Sequence, residues 1–323
     1  MTFTGVYVPL ITPFDAAGAV ALEALEGLAH DALRDGAAGL VALGTTAEPS
    51  ALTGGERRAV VEVVARVCRE HHAPLMIGAD SVRAVGALRD AAAALSLVPP
   101  FLRPGEDGVV AWFEALSAAA AVPLIVYHVP YRTGQHLSTA ALRRIAAIPG
   151  VAGIKYANGG IDAGTAELLA DPPEDFAVLG ADDAVVSPLL AMGAHGGILA
   201  SAHVATSDFA GLVAAWHAGD AVRARALGNR LAALSLALFA EPNPAVIKGV
   251  LHALGRIPTA AVRLPLLPAS PATVEAARRL AAPPSRKPPS SATRGTPPPP
   301  ISGATPAATV AATSGRRRAA GPG

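Results

Sequence analysis

The feature that most constrains this chain is an alternation. Short apolar runs with strand character take turns with alanine-rich segments of helical spacing, from residue 6 to residue 199. The β-like runs cover residues 6–10, 39–43, 75–78, 93–98, 123–127, 151–155, 176–179 and 195–199. Between them lie helical patterns at 22–35, closed by Gly36, and at 54–70, where Val60, Val63, Val64 and Val67 share one face. Further helical patterns fall at 108–121 and at 139–147, the latter with Ser138 as its N-cap. Eight such alternations over roughly 220 residues predict an α/β fold of the (β/α)8 (TIM) barrel type, usually about 250 residues long. The competing doubly wound sheet lacks its phosphate-binding signature, because no Gly-x-Gly-x-x-Gly follows the first strand and no P-loop occurs.

Beyond the barrel, helices are predicted at 207–218, 221–239, 244–254 and near 274–280, the last opened by Ser270-Pro271. The chain therefore divides into a barrel at 1–219, a C-terminal helical segment at 220–282 and a tail at 283–323. The tail holds ten of the 29 prolines, no aromatic residue and six cations without an acid, a composition expected to stay disordered. With a whole-chain charge of +1, residues 1–282 carry −5. A mildly acidic body does not fit a nucleic-acid binder. No apolar run is long enough to span a membrane, and the first residues lack a basic segment followed by an apolar one. A single cysteine, Cys68, excludes an internal disulfide and fits the cytoplasm.

A barrel places catalytic groups just after its strands, where the βα loops build the site. Those slots hold Thr45, Thr46 and Glu48, then Tyr127, His128 and Arg132, then Lys155, then Asp182 and Asp183. Lys155 stands out because the chain uses 26 basic residues of which only three are lysines, Lys155, Lys248 and Lys287. A position needing only positive charge could be arginine, whereas an amine in an apolar pocket can lose its proton and form a Schiff base. The plainer reading is a strand-end lysine reaching for water. With Tyr127 as proton shuttle, Thr45 and Thr46 as hydroxyl groups and Arg132 as a fork for a carboxylate, the set fits a carbonyl-plus-acid substrate. Glu48, Asp182 and Asp183 read as capping and turn residues. The nine histidines show no ligand spacing, and no metal, nucleotide or flavin is expected.

Four stretches carry a family resemblance: Gly44-Thr45-Thr46-Ala47-Glu48, Val126-Tyr127-His128-Val129-Pro130-Tyr131-Arg132-Thr133-Gly134, Gly153-Ile154-Lys155, and Glu241-Pro242-Asn243-Pro244 with Lys248. In order and spacing, from about residue 5 to residue 268, they resemble the dihydrodipicolinate synthase / N-acetylneuraminate lyase superfamily, most closely its dihydrodipicolinate synthase branch. The resemblance implies a class I aldolase of lysine biosynthesis. Lys155 joins pyruvate as an imine, so no separate cofactor is needed, and the resulting enamine attacks aspartate semialdehyde. Tyr127 is the implied proton shuttle and Thr45 its relay. The resemblance further implies that Thr46 and the backbone at Ile198 hold pyruvate, that Arg132 binds the aldehyde's carboxylate, and that the chain assembles as a homotetramer of tight dimers.

The chain departs from that pattern in places. Pro99-Pro100-Phe101-Leu102 stands where the branch has Pro-Tyr-Tyr-Asn, so the relay tyrosine lent to the neighbouring subunit is replaced by Phe101, read as a packing residue. Tyr131 and Tyr156 are the nearby phenols. Ala47 replaces a glycine, and Gly54 and Arg57 replace histidines common in lysine-inhibited members. Two other functions stay open: a dehydratase or aldolase of 2-keto-3-deoxy sugar acids, and a silent paralogue that binds a keto acid.

Overall fold

A computed structural model describes residues 3–281, so the tail at 283–323, expected to be disordered, lies outside the described residues. The strands β1 (Gly5–Pro9), β2 (Gly39–Ala42), β3 (Leu75–Gly78), β4 (Ala93–Leu97), β5 (Leu124–His128), β6 (Val151–Tyr156), β7 (Ala177–Gly180) and β8 (Gly196–Ile198) pair in parallel and in sequence order. β8 closes on β1, with Tyr7 beside Ile198. This is the (β/α)8 barrel expected from the alternation.

Parity along each strand decides what faces where. Tyr7, Val41, Met76, Ala93, Leu95, Ile125, Tyr127, Ala177, Leu179 and Ile198 form one buried cluster inside the barrel. Their strand neighbours Val6, Val8, Leu40, Ala42, Leu75, Ile77, Ala94, Leu124, Val126, Ile154 and Val178 point the other way, into the layer between sheet and helices. The strands read as continuous apolar runs because both faces are buried.

The first turns of the outer layer are α1 (Leu22–Arg34), α2 (Gly54–Glu70) and a short α3 (Val82–Ala87), the last left unassigned by its alanine-rich sequence. α4 (Gly105–Ala119) begins three residues before the predicted start, after Pro104. The one-turn α5 (Pro130–Thr133) precedes α6 (Thr139–Ala146), where the Ser138 hydroxyl accepts the Ala141 amide as anticipated. α7 (Ala163–Ala170) and α8 (Val186–Ala191), also unassigned, fill the last two crossovers. α9 (Ala202–His217) starts earlier than predicted because a non-helical kink at Ala205 joins two helical pieces.

Three further helices, α10 (Ala221–Leu238), α11 (Ala245–Ala253) and α12 (Pro271–Ala281), complete the described chain. The Ser270-Pro271 start predicted for the last one is present, with the Ser270 hydroxyl accepting the Thr273 amide. Arg263, between α11 and α12, forks onto both oxygens of Glu56 on α2 at 2.9 and 2.6 Å. The C-terminal segment is thereby tied to the loops that follow β2. Among the described residues no helix is long and apolar enough to cross a membrane.

Candidate active site

Adjacent strands bring the first two groups together. Tyr127 on β5 is the register partner of Lys155 on β6, and both occupy inward positions at the C-terminal ends of their strands. Lys155 is 4% exposed, and its Nζ lies 4.1 Å from the centroid of the Tyr127 ring. A lysine reaching for water is thereby excluded as the plain reading, since the ammonium group turns into the barrel mouth. The cavity there is lined by Thr45, Thr46, Tyr127, Arg132, Lys155 and Ile198, all six residues singled out in the sequence.

The threonines sit in a one-turn 3-10 segment, Thr45–Ala47, directly after β2. The backbone before it passes so close to β3 that a Cβ on Gly78 would meet the Leu43 carbonyl oxygen at 2.1 Å, so glycine is required there. Left-handed backbone falls on Leu43 and Glu48, at φ 55° and 54°, and not on Ala47. The alanine that replaces glycine in the motif is therefore sterically free to adopt its helical conformation.

Glu48 is not a capping residue. It is 5% exposed, and its Oε1 accepts from Lys248 Nζ at 2.5 Å while its Oε2 accepts from the Arg263 amide at 2.8 Å. Lys248 is fully buried on α11, also donates to the Ala261 carbonyl, and lies over the Phe14 ring. Burial brings its pKa down to about 8, against the pull of Glu48. In the sequence it was quoted beside the Glu241-Pro242-Asn243-Pro244 motif, and its pairing with Glu48 was not anticipated.

Asn243 was quoted only as part of a motif, yet it lines the same cavity. Its Nδ2 donates to Thr46 Oγ1 at 3.0 Å, and its Oδ1 is buried without a partner. Asp183 likewise does more than shape a turn. It is 4% exposed, lines the cavity and accepts the Ser201 amide at 2.6 Å. Burial raises its carboxyl to about 6, while Ser201 and the Lys155 ammonium hold it back from rising further. Asp182 anchors a different wall, with Oδ1 accepting the Tyr131 hydroxyl at 2.9 Å and Oδ2 the Gly159 amide at 2.7 Å. Tyr131 therefore joins the cavity rim, whereas the Tyr156 hydroxyl points outward to Thr165.

Two further sequence expectations need correcting. His128 belongs to β5 and faces away from the mouth, fully buried against His136 and Tyr156. Strand parity is the reason, since Tyr127 takes the inward direction. Phe101 is 87% exposed at φ 67° and packs no core.

Chemically, the cavity offers an amine, two phenols, two aliphatic hydroxyl groups, a guanidinium, a carboxamide and a carboxyl group. Among the described residues no cluster of three or more His, Cys, Asp or Glu side chains could hold a metal ion.

Comparison with known proteins places this geometry in context. Residues 2–282 match the model of the dihydrodipicolinate synthetase family. The chain is 36% identical over 272 residues to a 4-hydroxy-tetrahydrodipicolinate synthase of Neisseria meningitidis serogroup C, covering 82% of this chain and 92% of the relative. It is 37% identical over 268 residues to the Moorella thermoacetica enzyme of the same name, covering 81% and 91%. Among solved structures, the chloride-inhibited, pyruvate-complexed dihydrodipicolinate synthase of Acinetobacter baumannii superposes with TM-score 0.81 at 33% identity, covering 86% of this chain and 98% of that one. The Thermotoga maritima dihydrodipicolinate synthase gives TM-score 0.82 at 30% identity, covering 87% and 98%.

Proposed function

The chain belongs to the dihydrodipicolinate synthetase family, and from that premise we propose that it is a Schiff-base lyase condensing pyruvate with L-aspartate semialdehyde to give 4-hydroxy-tetrahydrodipicolinate. One observation carries the reading: a buried lysine at a strand end, turned into the barrel mouth with a phenol ring 4.1 Å from its nitrogen. The relatives' names give the product, the Acinetobacter baumannii complex gives pyruvate, and both favour this reading over a sugar-acid dehydratase.

In this mechanism the Lys155 amine adds to the keto carbon of pyruvate, and water leaves as the imine forms. Tyr127 carries protons to and from the reacting oxygen, with Thr45 as its relay partner. The Thr46 hydroxyl and the backbone at Ile198 hold the pyruvate carboxylate, and the Arg132 guanidinium takes the carboxylate of the aldehyde. Loss of a methyl proton gives the enamine, whose carbon bonds to the aldehyde carbon while the new alkoxide takes a proton from Tyr127. The aldehyde's own amine then displaces Lys155 and closes the ring. No metal is called for, because the iminium serves as the electron sink. Assembly into a homo-oligomer and residence in the cytoplasm complete the proposal.

The test is borohydride trapping. Incubation with pyruvate and borohydride should add a reduced pyruvyl group to the intact mass of the wild type and nothing to Lys155→Ala. No adduct on the wild type would leave only a silent keto-acid binder. A coupled assay with aspartate semialdehyde, run beside a set of sugar acids, then identifies the electrophile.

A further inference from the structure

The mechanism above has Tyr127 give a proton, take one and give one again, so its hydroxyl must exchange protons with water. Tyr127 is 7% exposed at the barrel mouth, and its protons therefore travel through neighbouring groups. Tyr131, on the one-turn α5 that follows β5, is the second phenol lining the same cavity. Its hydroxyl donates to Asp182 Oδ1 at 2.9 Å, while Asp182 Oδ2 accepts the Gly159 amide at 2.7 Å. The Tyr131 ring lies against Gly159, where an added Cβ would come to 3.6 Å from the ring carbon Cδ1. Carboxylate and ring are thus held from two sides. With its hydrogen committed to Asp182, the phenolic oxygen keeps its lone pairs for a donor in the cavity.

The walls of two cavities give this bond a direction. Tyr131 borders both the catalytic cavity and an adjoining one of about 260 Å³, whereas Asp182 borders the second alone. Leu236 and Phe239 on the wall of the second are 66% and 39% exposed, so that cavity opens to water. The bond from Tyr131 to Asp182 therefore crosses from the enclosed side to the open one. Burial, then the charges of Asp182 and Tyr127, push the Tyr131 phenol above its ordinary value, with Arg132 pulling the other way. A phenol that resists ionisation holds no lasting charge and passes each proton on.

We propose that Tyr131 and Asp182 form a proton relay within one chain that connects Tyr127 to water. The inference rests on the Schiff-base reading above. Both act through Tyr127, as positioning residues that do not touch the substrate. Once Tyr127 has given its proton to the alkoxide, its phenolate takes the Tyr131 proton. Tyr131 takes one from Asp182, and Asp182 takes one from water in the second cavity. In reverse order, a proton that Tyr127 takes from the pyruvyl methyl group leaves to water. Each transfer breaks one O–H bond and makes another, so no oxidant or reductant takes part.

The experiment follows the entry of deuterium into the methyl group of pyruvate, by mass, with the full chain in heavy water. Without the relay, Tyr127 returns the proton it has just taken, and exchange is slow although the enamine still forms. Tyr131→Phe and Asp182→Asn should each slow exchange at saturating pyruvate by about tenfold or more. The pyruvate concentration that half-saturates the borohydride-trapped adduct should stay unchanged, a split that a merely structural role would not produce. The double variant should be no slower than the slower single one, because both interrupt one path. Adduct formation identifies a folded variant, and Asp182→Asn decides the matter if Tyr131→Phe does not fold. Exchange left unchanged by either variant, half-saturation that shifts in step with exchange, or losses that multiply in the double variant would overturn the relay alone. Absence of the adduct on the wild type overturns the Schiff-base reading and the relay with it.

Discussion

Asn243 reaches the cavity from outside the barrel, and its amide fixes the direction in which Thr46 can offer its own proton. Because Nδ2 donates to Thr46 Oγ1, the threonine hydroxyl hydrogen is free to point at a bound carboxylate. Replacing Asn243 with Ala should raise the pyruvate concentration that half-saturates adduct formation about fivefold, as expected for one hydrogen bond of about 1 kcal/mol. An unchanged half-saturation would show that this contact does not serve binding. Asp183 is a second case, since its carboxyl ionises near pH 6. The rate of adduct formation should rise through that pH as the carboxylate becomes able to accept a proton, and Asp183→Asn should remove that limb of the profile. Neither residue was legible as a site member, because a short polar residue after a strand or in a proline-flanked loop reads equally well as a turn. Lys155 and Tyr127 were legible because their residue types are chemically unusual in their slots.

At the scale of elements, the Glu48–Lys248 pair joins the turn after β2 to α11. Both partners are buried, at 5% and 0% exposure, and neither can reach water if the other is lost. Lys248→Met should therefore destabilise the fold by roughly 3–5 kcal/mol, because it strands the Glu48 carboxylate. Adding Glu48→Gln to that variant should recover most of the loss. Urea unfolding of the two single variants and the double variant reads this as a coupling energy, and additive losses would argue against the pair. The same pair holds Glu48 in a left-handed conformation that costs a non-glycine residue on the order of 1 kcal/mol. Two strands' worth of alternation sufficed to place Tyr127 and Lys155 side by side. The 200-residue separation between Glu48 and Lys248 has no counterpart in any local pattern.

For the molecule as a whole, buried titrating groups set the response to acid. His203 accepts the Ile11 amide at Nε2 and bonds the Ala200 carbonyl through Nδ1, an arrangement that requires the neutral ring. Burial lowers both His203 and His128 to about 4, with His136 also opposing protonation of His128 and Arg256 that of His203. Between pH 4 and 6.5 each takes up a proton only on unfolding, so stability falls as pH falls. Asp183, raised to about 6, works in the opposite direction between its unfolded value of 3.8 and 6. Two histidines against one aspartate leave a net of one proton, about 1.4 kcal/mol lost per pH unit on acidification from 6 to 4. Thermal unfolding measured across that range should show the decline, and His128→Phe should flatten it. A melting temperature constant from pH 6.5 to 4 would contradict the neutral, buried state of these rings.

The amino-acid sequence by itself determined the barrel, the strand that carries Lys155 and five of the residues gathered at its mouth, with Ile198 added by the family resemblance. It could do so because strand parity and βα alternation are local patterns, repeated eight times and written in apolar spacing. Only the tertiary structure decided that Asn243, Lys248 and Arg263 return from the C-terminal segment to brace the threonine turn, and that Asp183 lines the same cavity as the lysine. Those features depend on side chains meeting across long stretches of chain, where desolvation and hydrogen bonding act between partners that no local periodicity connects.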